Sequence, residues 1–311
     1  MTLCIPDIAE RIPHRHQNLL LDSCTVFEDE SQFELTINKD DDLSRGIFLT
    51  NLNEKALVPP SVLAEASALA CIVSAGKIPK GSFAYFAGIT NFSLTGACFD
   101  AAFTIKGHTK KISGKHGFYK YSCHLQNESG AIAQAQLMAY YDSSGSSEAT
   151  NNLQSLSLPN TIESALTVPG EPVTPYAFKQ PKMTFVDTCN LTTNESSVYS
   201  YQYPLDHPLI RGHFPGNPVM MGICQWQMLE DAMTHYVNHH YNAGSSPDHL
   251  TCNALIMKSN RTPVCDIKGA TIRVNPMTIG YQAHIELVKK VLFKQKVVPG
   301  DTLYIHISHL P

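Results

Sequence analysis

The chain has 311 residues, 43% of them hydrophobic, and sets 23 basic against 27 acidic side chains for a formal charge of −4. That length suffices for two domains of ordinary size, each with its own core, and the slightly acidic balance excludes the broad basic surface of a nucleic-acid binder. No apolar run approaches the ~18 residues of a membrane span, and Met1 to Arg15 carries Pro6, Asp7 and Glu10 without an apolar centre, so it does not read as a secretory signal; the expectation is a cytoplasmic protein.

In chain order, the turn-bearing segment Ile12-Pro13-His14-Arg15-His16 leads into a strand at Leu19. Residues 32–39 alternate as Phe33, Leu35 and Ile37, the period of a strand with one buried face, and the acidic turn Glu28-Asp29-Glu30-Ser31 predicts a hairpin between the two. Pro59-Pro60-Ser61 then opens a helix whose apolar residues Val62, Leu63, Ala66, Ala70 and Val73 run to about Gly76. Proline suits the first turn, where its missing amide is not needed. Glu65 sits inside this apolar segment, where a carboxylate is costly unless it has a partner or a task; helix geometry leaves a solvent-facing Glu65 equally open. Strand-like runs follow over 82–94, 99–109, 117–126 and 131–141. Two strands, a helix and four strands predict an α+β unit over residues 1–142, a curved antiparallel sheet wrapped around a central helix.

Residues 143–175, rich in Ser, Asn, Thr and Pro, read as a linker. The pattern then returns over 176–311. Met183-Thr184-Phe185-Val186-Asp187-Thr188-Cys189 echoes Leu19-Leu20-Leu21-Asp22-Ser23-Cys24, with Asp187 and Cys189 displaced by 165 positions from Asp22 and Cys24. Such internal duplication has to be noticed before any site is assigned. Ser196 to Tyr203 reads as the second strand, and a helix runs from Gly222 to about Tyr241. Between that helix and the strand Ile285–Phe293 stands an apparent insertion, about 244–284, far above ordinary connection lengths and containing a strand-like run at Ala270–Val274. The turn Val298-Pro299-Gly300-Asp301 leads to a last strand, Thr302–His309. Two closing strands are unaccounted for: the insertion supplies them in another order, or the second sheet has an edge that must be covered.

The loop before the second helix is the most informative stretch. Gly212, Pro215, Gly216 and Pro218 crowd around His213 and Phe214, and the loop ends on the helix at Gly222. A histidine is thereby held on stiff backbone beside unpaired amides and the positive end of a helix dipole. His213-Phe214-Pro215-Gly216-Asn217-Pro218-Val219-Met220-Met221-Gly222 resembles the loop and central helix of the 3-hydroxyacyl-ACP dehydratases of bacterial fatty-acid synthesis. Pro13-His14-Arg15 with Leu19-Leu20-Leu21-Asp22, and Phe83 to Ile89, resemble two further segments of that family. The resemblance implies the hot-dog fold, here a double hot-dog with two sheets, each wrapping its helix, packed as a pseudo-dimer within one chain. It also implies a loop histidine as base and an acid fourteen positions later in the helix, each site drawing the two from different subunits.

Here the position fourteen beyond His213 is Gln227, and the position fourteen before Glu65 is Asn51; the first half's loop, residues 45–58, contains no histidine. Each half thus has what the other lacks. The resemblance then implies one working site built from His213 and Glu65, catalysing elimination of water from a 3-hydroxyacyl thioester, beside a dead sister site with Asn51 and Gln227. Phe214 and Gly216 would line it. Its oxyanion donor would come from Gly222 if the second half's helix supplies it, or from Ser61 if the first half's does, since Pro60 replaces the family's glycine and has no amide. Met221 replaces the family's usual proline.

No metal or other cofactor is expected. His235 and His239 stand four apart but lack an acidic or cysteine companion, and the nine cysteines form no Cys-x-x-Cys pair and read as small buried hydrophobes. Glu230 is expected on the solvent face and His207 in an ordinary turn. Lys289, Lys290, Lys294 and Lys296 form a basic strip, a solvated face or a dock for an acidic acyl carrier protein or the phosphates of CoA. The alternative to an enzyme is a degenerate dehydratase-like protein that binds acyl carriers without turning them over or completes a larger synthase as a structural subunit.

Overall fold

The computed structural model describes residues 1–52, 55–77, 83–95, 104–142, 160–242 and 244–310. Its elements in chain order are β1 (Thr2–Cys4), α1 (Ile5–Arg11), β2 (Ser23–Val26), β3 (Glu30–Leu35), β4 (Thr50–Leu52), β5 (Lys55–Leu57), α2 (Pro60–Ser74), β6 (Phe83–Leu94), β7 (Ile105–Lys115), β8 (Phe118–Asn127) and β9 (Gly130–Asp142). After these come α3 (Asn160–Ala165), β10 (Glu171–Pro172), β11 (Thr188–Thr192), β12 (Ser196–Gln202), α4 (Gly222–His240), β13 (His249–Lys258), β14 (Pro263–Pro276), β15 (Tyr281–Phe293) and β16 (Thr302–Leu310). Apart from the small β4–β5 ribbon, all strands join one antiparallel 14-stranded sheet in the order β1-β2-β3-β7-β8-β9-β6-β15-β14-β13-β16-β12-β11-β10.

The seam is the pairing of β6 with β15, Gly88 opposite Leu292 through Ser93 opposite Leu287. A Cβ on Gly88 would stand 2.4 Å from the Val291 carbonyl oxygen, so only glycine fits there. Against the sheet lie α2 and α4, in contact with each other. Every α2 residue from Pro60 to Val73 is buried, which suits a segment apolar on all its faces. The edge of the Phe92 ring meets Trp226 at 4.9 Å, filling the core where helix and seam cross.

The repeated Asp is a repeated device. Asp22 accepts from the Thr36 amide at 2.6 Å, and its own amide bonds Glu34 O. Asp187 accepts from the Gln202 amide at 2.7 Å, and its own amide bonds Ser200 O. In both halves the carboxylate ties the start of one strand to the end of the next. The echo read in the sequence is therefore a local fold used twice.

The two closing strands of the second half are present, and the stretch 244–284 contains them. From the outer strands inward, the first half runs β3-β7-β8-β9-β6 and the second runs β12-β16-β13-β14-β15. The four inner slots are the same, but the chain fills them in rotated order. The first half enters at the central slot with β6. The second enters two slots earlier with β13 and β14, turns tightly through Met277–Gly280, where Gly280 has φ +72, and only then reaches the centre with β15. What reads as an insertion is thus a pair of strands moved ahead in the chain.

The linker expectation changes as well. Residues 143–159 lie outside those described, but 160–175 hold α3, which buries Ile162 and Ala165 against Val198, and β10, which pairs with β11 at the sheet edge. The segment expected as the third strand's successor, 99–109, begins as a strand only at Ile105, and residues 96–103 lie outside the described set. At the N-terminus, β1 and α1 add an edge strand and a short helix. Of the cysteines described, Cys24, Cys71, Cys123, Cys224, Cys252 and Cys265 are buried and none is in a disulfide; Cys98 lies outside the described residues. Among the described residues no helix is long and apolar enough to cross a membrane.

Removing the Asp187 carboxylate by Asp187→Ala deprives the Gln202 amide of its partner, a loss of about 1.5–3 kcal/mol. The expected outcome is a melting temperature lowered by several degrees, read by differential scanning calorimetry. An unchanged value would show that the carboxylate does not hold the hairpin.

Candidate active site

The His213 loop is set by its backbone. A 3-10 turn, Pro208–Arg211, ends at Gly212, whose Cβ position lies 2.2 Å from Arg15 O; no larger residue could stand there. Arg15 N donates to Gly212 O at 2.9 Å, and the Asn18 side chain donates to Leu209 O at 2.8 Å, so the N-terminal segment is stitched to the loop of the other half. Phe214 follows in the left-handed region, φ +57, and Gly216 at φ +84 completes the bend. The His213 Nδ1 lies 2.6 Å from Val219 O. A carbonyl oxygen only accepts, so Nδ1 carries the hydrogen and Nε2 keeps a free lone pair.

Glu65, on the second turn of α2, is 3% exposed, and its Oε2 has no hydrogen-bond partner in the protein. The structure brings it to His213, together with a third residue that sequence reasoning did not single out for the site, His14. One ligand atom from each of His14, Glu65 and His213 lies within 4.8 Å of the other two, and all three residues are buried. Some point therefore lies within about 2.8 Å of all three atoms, the hydrogen-bond distance of a single oxygen. The His14 ring stands 5.0 Å from that of His213, and its Nδ1 also lacks a partner. Phe214 packs on both imidazoles, at 4.3 Å from His213 and 5.4 Å from His14, and touches Tyr85 on its far side. His14 could have been suspected only from its place in the Pro13-His14-Arg15 motif; its spacing carries no signal.

Burial alone pushes the Glu65 carboxyl up to about 8. Burial likewise pulls His213 down to about 4, opposed by its bond to Val219 O. His14 is held well below the ordinary imidazole value, by burial first and then by His213 and Arg15. At neutral pH the group is thus a neutral acid beside two neutral imidazoles, a proton donor facing a proton acceptor. Two imidazoles and a carboxylate could also hold a divalent cation, and this is the one such cluster of three among the described residues. His235 and His239 stack at 6.0 Å without a third ligand, and His235 Nδ1 lies 3.3 Å from the Tyr199 hydroxyl.

Other expected site residues fall in different places. Gly222 is the first residue of α4, on the His213 side, and a Cβ there would come within 2.9 Å of the Phe293 ring. Gly216 lines a surface crevice of about 720 Å³ with His16, Arg211, Pro215 and Pro218. Ser61 does not join His213; its hydroxyl takes a 2.9 Å bond from Gln227 Nε2, so it stands on the sister side, where Gln227 occupies the position of Glu65. Glu230 is not on the solvent face. It is 8% exposed and accepts from the Trp226 indole at 2.9 Å and the Ile285 amide at 2.9 Å, because α4 is covered by the sheet on the face that its polar residues would otherwise turn to water. His207 is more than a turn residue: it is buried, accepts from Leu209 N and donates to Lys182 O. In the basic strip, Lys294 lies 3.4 Å from Asp266, and Lys296 lies over the Tyr85 ring at 5.0 Å.

No family model matches the sequence, and no curated protein matches it. Solved structures do resemble the chain. One is the dehydratase domain of RzxB from Pseudomonas fluorescens, at TM-score 0.46 and 10% identity over 93% of this chain and 99% of that one. A trans-AT PKS dehydratase domain from Brevibacillus brevis scores 0.45 at 11% identity over 97% and 100% of the two chains. The dehydratase heterocomplex ApeI:P from Xenorhabdus doucetiae scores 0.37 at 15% identity, over 44% of this chain and 91% of that one. At these identities and scores the likeness says nothing about which residues act.

A buried carboxyl held near 8 has a stability signature. The unfolded chain sheds this proton near 4.5 while the folded protein keeps it to about 8, so rising pH across that window favours the unfolded state. Glu65→Gln removes the effect at nearly constant shape. Its melting temperature is expected to exceed that of the wild type by several degrees at pH 8, with the difference shrinking towards pH 4.5; an equal difference at both would show that Glu65 does not titrate in this window.

Proposed function

We propose that the chain is a 3-hydroxyacyl-thioester dehydratase built as a double hot-dog, with residues 1–142 and 176–311 as its two units. The observation that carries this reading is the meeting of His213 and Glu65, contributed by opposite halves, buried together and in complementary protonation states. Elimination of water from a 3-hydroxyacyl thioester needs a base at the carbon beside the carbonyl and an acid at the hydroxyl. His213 Nε2 takes the α-proton. The electrons of that C–H bond form the new double bond as the C–O bond at the β-carbon breaks, and Glu65 gives its proton to the departing hydroxyl, which leaves as water. The amide of Gly222, one of those a helix N-terminus leaves unpaired, is suited to the thioester oxygen as charge grows there. Return of the proton from His213 to Glu65 resets the site, and the reverse sequence hydrates an enoyl thioester. His14, neutral and unpartnered, is placed to hydrogen-bond the leaving oxygen.

The acyl group would arrive on the pantetheine arm of an acyl carrier protein or CoA. Lys296, over Tyr85 next to Phe214, brings the basic strip to the side of the site, which suits an acidic carrier. A glutamate at the acid position, rather than an aspartate, fits an enzyme that dehydrates without isomerising. Missing strands, a large insertion and Pro60 beside the working site would favour a degenerate subunit. Those strands are in the sheet, and Pro60 lies beside the sister site.

Incubation with a 3-hydroxyacyl thioester is expected to raise enoyl absorbance, and His213→Ala or Glu65→Gln to lower kcat/KM by about 10²–10⁴, while Gln227→Ala changes it little. Thiol release without enoyl formation would point to hydrolysis, and silence from the wild type to the binding role. The pH profile of kcat/KM is expected to be flat between about 4 and about 8, falling below as His213 is protonated and above as Glu65 ionises. Dialysis against EDTA should leave turnover unchanged; a loss restored by zinc would move the chemistry to a cation held by His14, His213 and Glu65.

A further inference from the structure

Dehydration asks for one base and one acid, and this pocket holds a third group. His14, Glu65 and His213 come from three separate stretches of the chain: the segment after α1, α2 itself, and the loop before α4. All three are buried, and one ligand atom of each lies within 4.8 Å of the other two. Two of their atoms, His14 Nδ1 and Glu65 Oε2, have no hydrogen-bond partner in the protein. Backbone holds the two imidazoles relative to each other, because the residue after His14 donates to the residue before His213, Arg15 N to Gly212 O at 2.9 Å.

The set has the chemistry of a metal chelate. Two imidazoles and one carboxylate with a fourth position open suit a tetrahedral ion of the zinc class, whereas magnesium and calcium take oxygen ligands. Two imidazoles bonded to one such ion set their ring centroids about 5 Å apart, and the His14 and His213 rings stand at 5.0 Å. His213 Nδ1, 2.6 Å from Val219 O, has the outer partner that orients a ligating imidazole and leaves Nε2 for the ion. Zinc needs its donors at about 2.1 Å. A point within about 2.8 Å of all three atoms exists, so each side chain closes by no more than about 0.7 Å, which small χ rotations supply. Charge favours the ion as well. Among the described residues no cation offsets the Glu65 carboxylate; a divalent ion would do so, Glu65 releasing its proton to solvent on ligation. Arg15, whose charge reaches His14, donates from Nη1 to the Ile12 and His14 carbonyls, both at 2.7 Å.

We propose that His14, His213 and Glu65 form a binding site for a divalent cation of the zinc class, and that its occupancy switches the protein off. The ion takes the His213 lone pair and the Glu65 oxygen that dehydration uses, so metal and turnover exclude each other. The switch rests on the dehydratase reading; the existence of the site does not.

Titration of the metal-free full chain with cobalt(II), which gains strong visible absorption when a few protein ligands replace its six waters, tests the site. One equivalent is expected in the wild type. Glu65→Gln and His14→Phe should each weaken it about a hundredfold or more, beyond the effect of losing an outer-shell partner, and the double variant His235→Ala/His239→Ala should leave it unchanged. Zinc at a free concentration ten times its Kd should lower kcat/KM about tenfold, reversibly on adding EDTA, while magnesium has no effect. No cobalt absorption, or absorption that survives both Glu65→Gln and His14→Phe, would overturn the site. Cobalt bound there while zinc leaves turnover unchanged or raises it would overturn the switch. A cobalt site in a protein without turnover in the metal-free state would leave the site standing and remove the proposed function instead. Should His14→Phe fail to fold, Glu65→Gln, of nearly the same shape, decides alone.

Discussion

The hydrogen-bonded pairing of β6 with β15 is the constraint on which the rest of the molecule depends. It runs the two halves together as one sheet, and because each half carries its helix on the same face, it sets α2 and α4 side by side. A loop at the head of one helix then lies against the body of the other. That is how an imidazole at position 213 and a carboxyl at position 65 come within hydrogen-bond reach of one common atom, while neither could meet such a partner inside its own half. The stitching of Arg15 and Asn18 to the 208–212 loop fixes the distance from the outside.

The same geometry accounts for a cost. A carboxyl inside a helix that is apolar on every side would be replaced, on stability grounds alone, by a hydrophobe of similar size; raising it to about 8 costs on the order of 5 kcal/mol above that pH. Among the described residues no cation offsets it; burial is the whole cause of the shift. The buried Asp231 shows the other solution, with Lys179, the Phe185 amide and a helix around it. One half keeps a buried acid whose Oε2 has no partner, and the other a buried acid paired on both oxygens.

Much of this was legible in the chain. Helix limits at Pro60 and Gly222 are written by proline, glycine and apolar spacing, and the sequence sets Asn51 and Gln227 at the positions that His213 and Glu65 hold in the opposite halves. Three things were not. Strand order leaves no mark on alternation, since β13 and β14 carry the same period whichever slot they fill, so their rotation read as an insertion. A helix with Gln, Glu and Asp among its apolar residues suggests one wet face for Glu230, whereas β15 covers that face and supplies the Ile285 amide to the carboxylate. His14 sits in an irregular segment, where no periodicity indicates direction; only its contact with Phe214 and His213 reveals it.

That the rotation is tolerated says which parts of the fold the site uses. His14 comes from the segment before β2, His213 from the loop before α4, Glu65 from α2, and the walls from β6 and β15, the two strands that meet at the seam. None of these depends on the order in which β13, β14 and β16 are visited. In both halves the strand that follows the central one in the chain, β7 after β6 and β16 after β15, fills the slot beside β3 or β12. The outer connections can therefore be rewired without moving any residue that faces the imidazole. The inner ones cannot: a chain that filled the central slot with a strand of different register would separate Phe86 from Phe293 and open the space that Gly222 leaves beside that ring.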